Sequence, residues 1–204
     1  MAKVLAIFAN PRKKSYTRRL LEAFLTSYRQ SHPIDEVVEL DLYETDIPVI
    51  DDTVLQAWSK PCEELSQEEQ QVLAQVDSFT QQFMSAEKIV FAAPMWNLQF
   101  PPVLLAYLAN IMVAGKTFCY TETGSQGLLD DKPTLLLHVQ GGIYSSGPLQ
   151  TLDYAVPYLR AVCNMMGISN FQTVLCDGIE MFPDKAEEIL ERAIRQAAQL
   201  AERF

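Results

Sequence analysis

Cysteine is scarce and scattered. Cys62, Cys119, Cys163 and Cys176 lie far apart, with no Cys-x-x-Cys pair and no neighbouring histidines. That spacing offers neither a zinc site nor a redox dithiol, and free buried thiols are the expectation. Basic residues are also short: 16 Lys and Arg stand against 26 Asp and Glu, for a formal net charge of -10. Such a balance argues against general affinity for nucleic acid or anionic membrane, and toward small molecules or proteins as partners. No apolar run reaches membrane length. The longest, Val103 to Ala114, would span only about 18 Å as a helix, well short of a hydrocarbon core. Met1 leads directly into Lys3-Val-Leu-Ala-Ile-Phe8, so a removable charged and apolar leader is not expected, and the chain reads as soluble and cytoplasmic. Gly-x-Gly-x-x-Gly and Gly-x-x-x-x-Gly-Lys-Ser/Thr are both missing, which removes the dinucleotide fingerprint and the P-loop. No Ser–His–Asp set, Cys–His pair or nucleophile elbow supports hydrolysis. The pairs Asp51-Asp52 and Glu63-Glu64 have no metal-ligand partners at useful spacing, so no metal is expected and solvated loop charges explain them.

What is present is apolar and regularly punctuated. The 204 residues are 49% hydrophobic, enough for a full core in one domain over residues 1–204. Lys3 to Ala9 is apolar without alternation, as in a parallel strand covered on both faces. Leu20, Leu21, Phe24, Leu25 and Tyr28 then repeat at helical spacing, predicting a helix from Ser15 to Ser31. Strands follow at Asp35 to Asp41, Lys88 to Ala93, Thr134 to Val139 and Phe171 to Cys176. Ser66-Gln-Glu-Glu69 resembles a capping box opening a long helix. Further helices are expected at 102–114, at Gly147 to Met166, bent or started by Pro157, and at Pro183 to Phe204. Five strands separated by helices predict an α/β, flavodoxin-like three-layer sandwich: a five-stranded parallel sheet of order 2-1-3-4-5 with helices on both faces. The helix at 102–114 is apolar on nearly every side, so the sheet alone cannot cover it. A second subunit is the simplest cover; the excursion Thr117 to Asp131 is the alternative.

In that order, ligands sit outside the carboxyl ends of the strands where the order reverses, between strands one and three. The loops there are Asn10 to Thr17 and Pro94 to Phe100, with Gln140-Gly141-Gly142 alongside. Pro94 cannot donate to a ladder and should end its strand. Beyond it Met95, Trp96, Asn97, Leu98 and Phe100 place large apolar side chains on a connection, beside an amide. They suit a planar ligand with a polar edge, or else they plug the end of the core. Ser15 and Thr17 open a helix whose N-terminus favours a phosphate, and Arg12, Lys13, Lys14, Arg18 and Arg19 crowd five cations into eight positions of an acidic chain. The competing reading is a solvated basic surface with Ser15 as a plain cap. Gly141-Gly142 permits close backbone approach to the carbonyl edge of a flavin, or simply makes a tight turn. His138, at a strand end, is assigned no role. Phosphate at one end and a flat ring at the other describe flavin mononucleotide (FMN).

The residues also carry a family resemblance. Lys3-Val-Leu, Ser15-Tyr-Thr17, Ala93-Pro-Met-Trp-Asn97, Lys116-Thr-Phe-Cys-Tyr-Thr-Glu-Thr-Gly124 with Gly127-Leu, and Gly141-Gly-Ile143 followed by Gly147-Pro together resemble the FMN-dependent NADH-azoreductase family over most of the chain. The resemblance implies a homodimer with FMN tightly bound at the subunit interface, NADH or NADPH as donor, and quinones or aromatic azo compounds as acceptors. By position it implies a phosphate triplet Ser15, Tyr16 and Thr17, with Asn10 beside it where a serine is common. Pro94, Met95, Trp96, Asn97 and Leu98 would lie against the isoalloxazine. Val139, Gln140, Gly141 and Gly142 would border it, Gln140 replacing a cation. Phe100 and Tyr120 would meet the substrate. The flavin carries the chemistry, so no catalytic side chain is demanded. Two rivals stand beside this expectation: a flavodoxin-type electron carrier without nicotinamide turnover, and a flavin-free protein using Trp96 and Phe100 as a binding patch.

Overall fold

The computed structural model describes residues 1–204. Five parallel strands form the centre: β1 (Lys3–Phe8), β2 (Glu36–Asp41), β3 (Lys88–Pro94), β6 (Thr134–Gln140) and β7 (Phe171–Asp177), in the order β2-β1-β3-β6-β7. This is the predicted sheet, its last two strands renumbered because a small hairpin intervenes. The unbroken apolar pattern of β1 has the expected cause. Val4, Ala6 and Phe8 pack under one helical layer and Leu5, Ile7 and Ala9 under the other, each at most 2% exposed. The first layer holds α1 (Tyr16–Ser31) and α6 (Ala186–Ala201); α3 (Gln67–Ser85), α4 (Pro102–Ile111) and α5 (Ala155–Met165) form the second.

Helix ends follow local chemistry where the sequence supplied it. Ser15 caps α1, its Oγ accepting from the Arg18 N–H at 3.1 Å. Ser66 and Glu69 make the expected reciprocal capping box at the start of α3. Other ends depend on distant residues. Buried Lys132 donates to the carbonyls of Phe83, Met84 and Ala86 at 3.3, 3.0 and 2.5 Å, satisfying the C-terminus of α3. The Thr117 hydroxyl donates to the Ile111 carbonyl at 2.8 Å and accepts from the Val113 N–H, which stops α4 three residues short of the predicted 114.

Several expectations need correction. Pro94 does not lie beyond its strand but is the last residue of β3, opposite Val139, where the following Met95 N–H donates to the Val139 carbonyl at 2.8 Å and the missing proline N–H costs nothing. Asp51 is not a solvated loop charge: it caps a short helix, α2 (Asp52–Trp58), by accepting from the Val54 N–H at 3.1 Å. The stretch predicted as one helix from Gly147 is a 3-10 turn over Gly147–Leu152 followed by α5, with Pro157 in the first turn of α5. Residues 117–131 contain an antiparallel hairpin, β4 (Phe118–Thr121) and β5 (Gly124–Gly127). It docks where Gly127 meets the backbone of Gly167, with no room for a side chain.

Candidate functional site

The parallel register brings Phe8 of β1 beside Ala92 of β3, and Pro94 beside Val139 of β6. The loops leaving these strands therefore emerge side by side, about 5 Å apart per strand. Between them lies a cleft of about 570 Å³, within the size range of small-molecule sites. Asn10, Ser15, Tyr16 and Thr17 line one end, Pro94, Met95, Trp96 and Asn97 the other, with Val139 and Gly141 on the third side. The two segments that the sequence singled out thus share one cavity.

The phosphate-type end is built from the start of α1. The Ser15 oxygen accepts a hydrogen bond as cap, which leaves its own proton free to donate. The N–H groups of Tyr16 and Thr17 have no acceptor in the chain, as expected for a first helical turn. Asn10, 5% exposed, braces the loop: its Nδ2 donates to the Thr17 hydroxyl at 3.4 Å and its Oδ1 accepts from the Arg12 N–H at 2.9 Å. The five-cation cluster divides on folding. Lys13 pairs with Glu44 at 2.6 Å, Arg18 with Asp41 at 3.1 Å while lying over the Phe8 ring, and Arg19 takes Glu187 in a two-point pair. Arg12 and Lys14, which have no carboxylate partner, line the cleft.

The opposite end is held in an uncommon backbone. Trp96 and Gln99 exchange two hydrogen bonds, 2.7 and 2.9 Å, around a two-residue turn in which Asn97 and Leu98 have φ of 48° and 68°. Positive φ at both central residues defines a type I′ turn, suited to Asn at the first position and costing about 1–2 kcal/mol for Leu at the second. Strain of this kind persists where the surroundings over-determine it, as at ligand clamps. The turn presents the Trp96 ring, 37% exposed, to the cleft, and the Asn97 N–H has no acceptor in the chain. On the third side, the N–H groups of Gly141 and Gly142 are likewise free. Free N–H donors at both ends, a flat aromatic wall between them and adequate volume fit a phosphorylated planar cofactor.

Some predicted site residues lie elsewhere. Phe100 is 2% exposed in the core, edge-on to His138 with centroids 5.2 Å apart, so it supports the turn from behind and does not line the cleft. Gln140 is fully buried with both side-chain amide atoms unpartnered; only its carbonyl works near the site, accepting from Gly178 and Ile179 N–H groups. Gly142 lies behind Gly141, against the Tyr144 ring, and Leu98 is half-buried beside the cleft without lining it. Tyr120, 74% exposed on the β4–β5 hairpin, is outside this cleft. Conversely, Ile179 and Glu180 form a wall that the sequence reading missed. Gly178, at φ 84°, ends β7 at the same edge as the other loops, and that position was the available signal.

No side chain here is poised for acid–base work. His138 is completely buried, and its Nδ1 must donate to the Ala93 carbonyl at 2.8 Å, since a carbonyl only accepts. Burial lowers its pKa to about 4, so the ring stays neutral. Burial also pushes the Cys163 and Cys176 thiols up to about 12, which keeps them from acting as thiolates. No group of His, Cys, Asp or Glu is arranged to hold a metal ion.

Comparison with known proteins finds relatives along the whole chain. A family model described as "Flavodoxin-like fold" matches residues 2–201. An FMN-dependent NADH:quinone oxidoreductase of Halalkalibacterium halodurans is 45% identical, with all of both chains covered. A crystal structure of an azoreductase from Bacillus anthracis superposes with a TM-score of 0.94 at 41% identity over all of both chains. An FMN-dependent NADH-azoreductase from the same species, solved in complex with FMN, gives 0.93 at 36% identity, covering 100% of this chain and 99% of that one.

Proposed function

The chain belongs to the flavodoxin-like family, in the branch of its FMN-dependent NADH:quinone oxidoreductase and azoreductase relatives, and from that premise we propose that it is an FMN-dependent NAD(P)H oxidoreductase acting on quinones and aromatic azo compounds. The observation that carries this is the convergence of the α1 N-terminus and the strained Trp96–Gln99 turn on one cleft. FMN held by these residues would supply the chemistry of two-electron transfer between a reduced nicotinamide and an acceptor.

The chain's own part is to bind and polarise. The Ser15 hydroxyl, the Tyr16 and Thr17 N–H groups and the helix dipole hold the phosphate, with Thr17 braced by Asn10. Met95 and Trp96 cover the ring, and the fixed turn sets the Asn97 N–H against its polar edge. Gly141 directs its N–H group at the carbonyl edge, where negative charge develops on reduction. The electron-carrier alternative gains nothing from these relatives, which are named as enzymes.

The working unit is a homodimer. Leu105, Ala106 and Ala109 leave an apolar strip of α4 half-buried or exposed, which suits a second copy, and Tyr120 on the exposed hairpin is suited to reach the partner's cleft. Four free cysteines suit a reducing, cytoplasmic compartment, and no helix is long and apolar enough to cross a membrane. Purified protein is expected to be yellow, to sediment as a dimer, and to oxidise NADH when menadione or methyl red is added. Colourless protein that gains no activity with FMN would refute the reading.

A further inference from the structure

Two features at the rim of the cleft are unused by this function: a pair of uncommitted cations and a half-exposed aromatic ring set at a tilt beside Trp96. Arg12 and Lys14 line the cleft without a carboxylate partner, although Lys13, Arg18 and Arg19 are all paired. Tyr43 stands on the loop after β2. Its position is fixed: buried Leu42 anchors the loop, the Tyr43 N–H donates to Asp41 Oδ1 at 3.1 Å, and the Thr45 hydroxyl donates to the Asp41 carbonyl at 2.7 Å. The Tyr43 ring, 39% exposed, lies with its centroid 6.5 Å from that of Trp96, at 57°. The Lys13–Glu44 ion pair, 2.6 Å, ties the loop bearing Tyr43 to the loop bearing Arg12 and Lys14. Tyr43 thus stands beside Trp96, on a loop tied to the one that bears Arg12 and Lys14.

We propose that Tyr43, Arg12 and Lys14 dock the adenosine diphosphate end of the nicotinamide donor; the assignment rests on the oxidoreductase reading. A dinucleotide brings two pyrophosphate charges to a protein of net charge -10, and local cations are what make that approach favourable. The cofactor's phosphate is already met by the α1 N-terminus and its hydroxyls. A nicotinamide lying over the flavin leaves its adenine outside the cleft, where a purine needs a flat face, and Tyr43 offers one stiffened by Trp96. Quinones carry no phosphate, so these residues serve the donor and not the acceptor.

The test compares NADH with reduced nicotinamide mononucleotide, which lacks the adenylate, as reductants of the FMN-loaded protein in anaerobic stopped flow. Wild type should prefer NADH. Tyr43→Ala should lower the NADH reduction constant about tenfold, and R12A and K14A about two- to fivefold each, more at low salt. The Tyr43→Ala loss should not appear with the mononucleotide, which lacks the purine but keeps one phosphate. Calorimetry with ADP-ribose should show binding to the FMN-loaded wild type that Y43A loses. Equal reduction of wild type by both reductants, or a Y43A protein that keeps the NADH advantage, overturns the assignment alone. FMN-loaded protein bleached by neither reductant sinks the oxidoreductase reading and this assignment with it.

Discussion

Ser15 serves two roles that one substitution can separate. Its oxygen accepts from the Arg18 N–H at 3.1 Å, capping α1, while its proton remains available to a phosphate. Ser15→Asp keeps a capping acceptor of equal quality but places a negative charge where the phosphate should sit. Two unit charges about 4 Å apart repel by about 4 kcal/mol at an effective dielectric of 20. Ser15 is only half-buried, so solvent screening reduces this to about 2–3 kcal/mol, or a roughly 30- to 150-fold weaker affinity for FMN. Riboflavin, lacking the phosphate, should bind S15D as it binds wild type, and the apoprotein should melt within about 2 °C of wild type. Ser15→Ala makes the opposite trade. Loss of the cap costs about 1 kcal/mol, a drop of about 2–4 °C for a chain of this length, with a smaller loss of FMN. Flavin-fluorescence titrations with both ligands, alongside thermal melts, read the two effects separately. An S15D protein that binds FMN as tightly as wild type, or loses FMN and riboflavin alike, would show that the phosphate does not sit at the start of α1.

Three further outcomes follow from the packing. Lys132→Met leaves three helix-end carbonyls without their buried donor and should cost about 2–4 kcal/mol, seen as a fall of about 5–10 °C in Tm. Gly127→Ala puts a methyl 2.1 Å from the Gly167 nitrogen; because backbone cannot yield as a side chain can, about 1–3 kcal/mol should be lost, which urea denaturation would measure. Asp35 accepts from the Tyr28 hydroxyl at 2.7 Å and from the Ala2 N–H, and lies 3.6 Å from Lys88. These contacts, the tyrosine hydroxyl foremost, hold its pKa at about 2 against 3.8. A depressed carboxylate stabilises above its unfolded pKa and loses that stabilisation as pH falls toward the folded value. The stability advantage of wild type over D35N should therefore persist from neutral pH to about 4 and shrink between about 4 and 2. An advantage that is flat across that window would count against the pairing.

The sequence by itself determined the layered α/β architecture, because runs such as Val4 to Phe8 and Leu135 to Val139 report burial on both faces, and helical spacing reports burial on one. It also determined the chemistry of the two principal loops, since Ser15, Thr17 and Trp96 lie next to the strand ends that topology assigns to ligands. Contacts between residues remote in the chain were left to the tertiary structure. Five adjacent cations look alike in sequence, yet three are neutralised by Asp41, Glu44 and Glu187, the last 168 positions from Arg19, and only folding leaves Arg12 and Lys14 free. Phe100 and Trp96 are equally apolar, and the direction of a four-residue turn sends one into the core and the other to the cleft. Ile179 and Glu180 became a wall only when β7 took its place at the sheet edge. Local periodicity records whether a side chain is buried; which partner buries or neutralises it is a property of the closed chain.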